Sequence, residues 1–202
     1  MVNDALTRRV RRIYAAVGAA EEVDISNFVP QVINDGGRVG FHQDWSGDLS
    51  DEQLSNIAHS LIHNIANLQD HLKKWAKSND KDKTKVDDAF NKSQPLQVIQ
   101  DLSNNDKHGY PPRNRGYSGK SPRVGEIRRV LQLATGAEKG SVVGIKITPQ
   151  GVPTIFGSGT AKVIVSGDIL DVDGNNIGDL HRTALEAVQV WESVLDDFGV
   201  EL

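Results

Sequence analysis

The sequence predicts an α+β fold, with helices first, an antiparallel sheet after them and one helix at the end. Two changes of hydrophobic period carry this prediction. Apolar residues recur every three or four positions in most of the segment before residue 104, whereas short β-branched runs follow after residue 124. A helical period returns near Asp179. Helices and strands that are grouped along the chain, rather than alternating, are typical of the α+β class.

The first segment predicts an amphipathic helix with a basic outer face. Asn3 or Asp4 can cap its start. Its apolar face consists of five residues at helical spacing: Leu6, Val10, Ile13, Tyr14 and Val17. The outer face carries Arg8, Arg9, Arg11 and Arg12, which we expect to be solvated or to contact a partner.

A second, longer helix is predicted from residue 50. The sequence S-D-E-Q places Ser50 to accept from the backbone of Gln53, whose side chain can return a hydrogen bond, as in a capping box. Seven residues spaced by three or four then form one apolar stripe: Leu54, Ile57, Leu61, Ile65, Leu68, Leu72 and Trp75. This is the central helix of the predicted fold.

Further helical segments follow the central helix. Val86 and Phe90 mark one of them, and Pro95 suits the first turn of another. Residues 50–104 therefore predict a helical hairpin or small bundle with a break near Pro95.

The strands are predicted from short runs separated by Gly, Pro or Asp-Gly. Residues 31–41 form two extended runs around an Asp-Gly-Gly turn, which indicates a hairpin. Four later runs have no helix between them, which favours an antiparallel meander: residues 126–134, 141–148, 152–157 and 160–172. The last helix begins near Asp179 and ends at Gly199.

The composition predicts a soluble, cytoplasmic protein. There is no cysteine, no apolar run approaches the roughly 20 residues that a membrane helix needs, and the net charge of −4 gives no general attraction to nucleic acid. We expect one domain over residues 1–202, with a helical half (1–108), a loop (109–123), strands (124–178) and a final helix (179–199). No metal or cofactor is predicted.

The predicted loop has an unusual charge pattern. Between Lys107 and Arg123 there are five basic residues and no acid, interleaved with tyrosines. Basic side chains neutralise phosphates and tyrosines stack on exposed bases, so this pattern predicts RNA contacts by Lys107, Arg113, Arg115 and Lys120. A solvated connection between the two halves is the alternative.

A polar stripe borders the apolar face of the central helix. Asn64, Asn67 and His71 are spaced by three and four residues, so they share one side of the helix. Half-buried Asn and His usually bond loop backbones, but such a stripe can also form a polar site. His59 and His63 have metal-ligand spacing without the glutamate of a zincin helix, and we expect them to serve packing.

Two segments, LIHNIANLQDHL and LSNNDKH, resemble a widespread group of uncharacterised bacterial proteins. The matching positions are Asn64, Asp70 and His71, then Asn104 or Asn105, Asp106, Lys107 and His108. That group is in turn similar to HEPN domains, helical modules that often cleave RNA with an Arg and a His at a dimer interface. Here Ala66 stands at the position of that arginine, and Gly109 at the position of a second arginine after His108.

The resemblance implies an RNA-binding protein or a degenerate ribonuclease, with His71, Asp106 and His108 as catalytic candidates. If the loop is functional, we expect Asp106 to orient His108 or to cap local backbone. Whether His71 and His108 meet is left open by the spacing. The alternative is a non-enzymatic protein–protein interaction module, and a two-fold homodimer is a reasonable assembly for either.

Overall fold

The computed structural model describes residues 2–111 and 113–200. Its α-helices are α1 (Val2–Ala19), α2 (Asp51–Ser78), α3 (Thr84–Lys92), α4 (Gln94–His108) and α5 (Leu180–Phe198). Its strands are β1 (Glu21–Glu22), β2 (Gln31–Asp35), β3 (Arg38–His42), β4 (Arg123–Val124), β5 (Arg128–Ala134), β6 (Val143–Ile147), β7 (Pro153–Gly157), β8 (Thr160–Ser166), β9 (Asp168–Leu170) and β10 (Asn176–Asp179). The predicted α+β fold class is confirmed.

The helix ends follow the chemistry of their capping residues. At the start of α2, Ser50 Oγ accepts from the backbone of Gln53 and the Gln53 side chain accepts from the backbone of Ser50, completing the predicted capping box. Ser93 caps the start of α4 and Pro95 lies in its first turn, so the helical conformation is interrupted between α3 and α4. Asp179 caps α5, and Gly199 ends it in the left-handed conformation at φ +69°.

All the described strand pairs are antiparallel, but the later strands do not form the predicted meander, because β5 pairs with β8 and not with its sequence neighbour β6. β5 pairs with β8 over seven residues, from Arg128–Ser166 to Ala134–Thr160, and β1 lies on the other edge of β8. β6 and β7 form a hairpin that emerges between β5 and β8. β9 lies between β4 and β10, and β2–β3 is the predicted N-terminal hairpin.

The main core lies where the helices meet the β8–β9 side of the sheets. Ile65 of α2, Ile99 of α4 and Leu195 of α5 are almost fully buried in it. The indole of Trp191 donates to the backbone oxygen of Ile65 at 3.2 Å, which fixes α5 against the middle of α2. The apolar stripe predicted for α2 therefore faces the core.

Tyr14 departs from the apolar face predicted for α1. Leu6, Val10 and Ile13 are buried, but Tyr14 lies at the side of the helix and is 41% exposed. Its hydroxyl donates to a Glu192 carboxylate oxygen at 2.6 Å. Partial burial and the neighbouring Glu192 raise the pKa of Tyr14 to about 12. Tyr14 thus links α1 to α5 through a hydrogen bond.

Candidate functional site

A buried carboxylate on α4 holds the loop that follows this helix. Asp101 is only 1% exposed. One of its oxygens accepts from the backbone N–H of Tyr117 at 2.7 Å, and the other accepts from the N–H and the hydroxyl of Ser118 at 2.8 and 2.6 Å. A buried charge is costly unless it is paired or hydrogen-bonded, and these three donors solvate the carboxylate. The loop backbone is therefore fixed from inside the protein.

Gly116 is required by this arrangement. Its φ is +75°, and a Cβ built on it would lie 2.5 Å from the Asp101 carboxylate. A side chain at residue 116 would thus be strained in its backbone and would collide with the acid. The glycine lets the loop backbone approach close enough for the N–H groups of the next two residues to reach Asp101.

Further contacts hold the loop to the helices and to itself. Asn105 Nδ2 donates to the Pro122 carbonyl at 2.7 Å, and the N–H of the buried Ser121 donates to the Arg115 carbonyl at 2.9 Å. The ring of Tyr117 contacts Phe90 edge to face, with centroids 5.3 Å apart. These contacts therefore tie the described part of the segment predicted as a basic loop to α3 and α4, while most of its side chains stay exposed.

Two neighbouring cavities open beside the loop. The larger, about 790 Å³, is lined by residues that include Asp101, Asn104, Asn105, His108, Gly116 and Tyr117. A second cavity of about 400 Å³ is lined by residues of α2, α3 and α4 and by Tyr117. Asn104, His108 and Tyr117 line both cavities, so the polar surface around the end of α4 is continuous.

Of the predicted RNA contacts, Lys107 lines the 400 Å³ cavity, whereas Arg115 and Lys120 line neither cavity. Arg115 and Lys120 are exposed. Lys107, also exposed, donates to Asn67 Oδ1 of α2 at 3.2 Å. The side chain of Arg113 and the whole of Pro112 lie outside the described residues. The other stripe residue, Asn64, donates to the Ser60 carbonyl of its own helix at 2.7 Å.

Asp106 does not orient His108, contrary to the expectation from sequence. Its carboxylate contacts Nε2 of His63 on α2 at 2.7 Å, while Nδ1 of His63 contacts Ser103 Oγ at 2.8 Å. The hydrogen bond from His63 holds the pKa of Asp106 below its usual value. His108, one turn away from Ser103 and Asn104 on α4, remains exposed beside the cavities.

The Ser103–His63–Asp106 chain has the composition of a hydrolase triad but not its accessibility. Ser103 is 0% exposed and lies inside the packed helices, so it cannot attack a substrate. The three residues tie α2 to α4 and set the position of the last turn of α4. This supports the packing role expected for His63.

His71 lies in a different place. It lines a groove between α1 and α2 together with Arg9 and Lys74, and none of the described residues lining this groove also lines the 790 Å³ cavity. Burial lowers the pKa of His71, and the charges of Arg9 and Lys74 lower it further, while Asp70 opposes the shift. The structure therefore places His71 and His108 in separate cavities.

Asp101, the residue that positions the loop, is not among the residues predicted from the sequence. A signal was present, because Asp101 lies between the buried residues Ile99 and Leu102 in a segment that is otherwise apolar on that side. The following segment has many backbone N–H groups, several glycines and no acid of its own after Asp106. An acid on the inner face of a helix beside such a loop is a candidate acceptor for those N–H groups.

Comparison of the chain with protein families, with curated proteins and with solved structures gave no match. Among the described residues, no three His, Asp or Glu side chains are grouped as metal ligands would be. None of the described helices is both long enough and apolar enough to cross a membrane. Function is therefore inferred from the residues of this chain alone.

Proposed function

We propose that this protein binds single-stranded RNA on the surface formed by the last turn of α4 and the loop after it. We call this the α4–loop surface, and it comprises Lys107, His108, Tyr110, Arg115, Tyr117 and Lys120. The observation that carries the proposal is the anchoring of the loop by Asp101. A buried acid holds the backbone, so the basic and aromatic side chains are presented from a fixed scaffold.

Charge and ring chemistry favour a nucleic acid as the ligand. The segment from Lys107 to Arg123 contains no acid, within a chain of net charge −4. Lys and Arg release counterions from phosphates, and tyrosines stack on unpaired bases. The exposed rings of Tyr110 and Tyr117 are available for such stacking.

The cavity favours a single strand over a duplex. Its volume of about 790 Å³ is within the range of about 300–1,000 Å³ that holds small molecules, so it can take one splayed base with its ribose. Asn104 and His108 line it and can bond base edges. Paired bases of a duplex do not reach such a cavity.

The proposal concerns binding, and cleavage stays a prediction. The resemblance to HEPN domains implies catalytic roles for His71, Asp106 and His108, but binding on the α4–loop surface requires none of them to act as a catalyst. A cytoplasmic location likewise stays a prediction, made from the absence of cysteine.

The test is an affinity measurement with a charge-matched control. The triple variant Lys107→Ala, Arg115→Ala, Lys120→Ala should lower the slope of log affinity against log salt by about 2 to 3 for a labelled single-stranded RNA. The control variant Lys81→Ala, Lys83→Ala, Lys85→Ala removes three exposed charges from the α2–α3 connection and the first turn of α3, and should leave the slope near that of the wild type.

Fluorescence anisotropy at several salt concentrations measures both variants. Equal effects of the two triple variants would mean that only net charge matters, and the α4–loop surface would not be the binding site. Absence of RNA binding by the wild-type protein at low salt would overturn the proposed function.

A second candidate function is a protein–protein interaction module, favoured by the β2–β3 hairpin. Val32, Ile33 and Phe41 of this hairpin are about half exposed. Exposed apolar residues on a two-stranded hairpin are typical of an interaction surface. We propose a second copy of this chain as the partner. The variant Val32→Ser, Phe41→Ser should then abolish self-association in sedimentation analysis, and salt should have little effect on the wild-type association.

A further inference from the structure

A small groove between α1 and α2 gathers three basic side chains. It has a volume of about 210 Å³, and its lining includes Leu6, Arg9, His71, Lys74, Trp75 and Ser78. Leu6 and Trp75 are buried and form its apolar base, whereas Arg9 and Lys74 are exposed at its rim. His71 lies between these layers and is half-buried.

The described lining of the groove is unbalanced in charge. No acid is among the described residues that line it. The charged groups that act on His71 are Arg9 from α1 and Asp70 and Lys74 from α2; burial and the two cations lower its pKa, and Asp70 raises it. Repulsion among these positive groups disfavours the imidazolium form, and a bound anion would relieve that repulsion.

We propose that this groove is a binding site for a phosphate group. Arg9 can give a two-pronged hydrogen bond, Lys74 a point charge, and His71 an imidazole N–H. A phosphate monoester or inorganic phosphate carries about −1.5 to −2 charges near neutral pH, which matches two permanent cations and one titratable group. A single carboxylate, with one charge, would leave the groove positive.

The size of the groove agrees with this ligand class. Its 210 Å³ is below the roughly 300 Å³ at which pockets for drug-sized molecules begin. The groove therefore takes the phosphate group itself, while any attached nucleoside or sugar stays outside. Since the groove and the 790 Å³ cavity have no described lining residue in common, this site does not depend on RNA binding by the α4–loop surface.

The first experiment follows the His71 ring by NMR while inorganic phosphate is added to the full chain. Bound phosphate should raise the pKa of His71, because a dianion favours the imidazolium form. Binding should accordingly weaken as pH rises through that pKa. Acetate at the same concentration should produce a smaller shift. If the pKa of His71 does not respond to phosphate, the proposal is wrong.

Matched variants locate the site. Arg9→Gln and Lys74→Met should each weaken phosphate binding by about tenfold or more, because each removes a charge-assisted hydrogen bond. Arg12→Gln and Lys77→Met change the same residue types on the same helices but outside the groove lining, and should have little effect. Arg9→Lys should restore part of the binding. If the Arg12 and Lys77 variants lost as much phosphate binding as the Arg9 and Lys74 variants, the proposal would be overturned. Thermal melts confirm that each variant is folded.

A second experiment separates the two sources of the phosphate group. A short oligonucleotide with a 5′-phosphate is compared with the same oligonucleotide carrying a 5′-hydroxyl. If the phosphate improves binding and Arg9→Gln removes the improvement, the groove takes a nucleic-acid terminus. If inorganic phosphate binds in the groove but the two oligonucleotides bind equally, the ligand is a small phosphorylated molecule. Either result supports a phosphate site, and absence of binding by every phosphate probe contradicts it.

Discussion

The loop after α4 and the β2–β3 hairpin both extend from the core, but different interactions attach them to it. The loop is polar and basic, but the buried Asp101 binds its backbone from within. The hairpin is rich in apolar residues, but Ile33 and Phe41 are about half exposed. The β2–β3 hairpin is thus the more hydrophobic of the two segments, yet it is attached more weakly to the core. Order in the loop depends on satisfied backbone N–H groups more than on apolar burial.

This contrast has a functional consequence. A loop that is anchored through its backbone leaves its side chains available for a ligand, and pre-organised side chains lose less entropy on binding. A two-stranded hairpin without a cover is marginal by itself and gains from a partner. The α4–loop surface is therefore suited to recognition of a small or flexible ligand, and the hairpin to association with another folded surface.

The largest expected effect comes from a charge placed in the main core, on α2. Ile65→Asp should cost more than about 4 kcal/mol and unfold most of the protein, because a fully buried carboxylate would have no partner. Ile33→Asp makes the same change on the hairpin and should cost less than about 0.5 kcal/mol. Urea denaturation measures both. Similar midpoints would contradict the assignment of the hairpin as a loosely attached element.

The next effect tests the anchor itself. Asp101→Leu should lower the free energy of unfolding by about 2 to 4 kcal/mol, because the N–H groups of Tyr117 and Ser118 lose a charged acceptor. Asp88→Leu, at an exposed acid on α3, is the matched control and should change stability little. Hydrogen exchange at residues 117 and 118 should accelerate in the Asp101 variant alone. Unchanged exchange would mean that the loop is ordered by other contacts.

A smaller effect is expected from the glycine that faces the anchor. Gly116→Ala should cost about 1 to 3 kcal/mol, since it forces a positive φ on alanine and places a Cβ against the Asp101 carboxylate. When combined with Asp101→Ala, part of this cost should disappear because the collision is removed. Strict additivity in the double-mutant cycle would show that the backbone strain alone accounts for the cost.

The smallest effect is expected at Asp106, the second acid of α4. Asp106 is exposed, whereas Asp101 is buried. Its bond to His63 lowers the pKa of Asp106, so this contribution to stability is present above the unfolded pKa and is lost as pH falls through the folded pKa. Asp106→Asn should remove this loss of stability in acid. The free energy of unfolding should change by well below about 1 kcal/mol, because the pair is partly solvated. Stability curves from about pH 5 to about pH 2 measure it. A variant curve as steep as the wild type would exclude this role for Asp106.

Local features of the fold could be predicted from the sequence. The capping box at Ser50 and the break at Pro95 depend on neighbouring residues, and both are present. β1 and β4 could not be predicted, because strands of two residues have no period and exist only through their partners. The sequence wrongly predicts Tyr14 on the apolar face of α1, since helical spacing alone does not distinguish the centre of an apolar face from its edge.

The candidate site was harder to predict than the elements that carry it. The basic residues of the loop were evident from composition, but the order of the loop depends on Asp101, 16 positions before Tyr117. Likewise, His63 and Asp106 are 43 positions apart and meet only because α2 and α4 pack side by side. Contacts between helices require the packing geometry, which spacing along one helix does not provide.

The pairing of β1 with β8 sets an order for folding. β6 and β7 are close in sequence and can form their hairpin early, after which β5 and β8 can zip together from the Ala134–Thr160 end. β1 must close a far larger loop, since its Glu21 meets Lys162, 141 positions away. With two residues it gains little to offset that entropy. We therefore expect β1 to dock last, and the amide of Val165, which donates to Ala20, to be the latest in the sheet to gain protection in pulse-labelled hydrogen exchange.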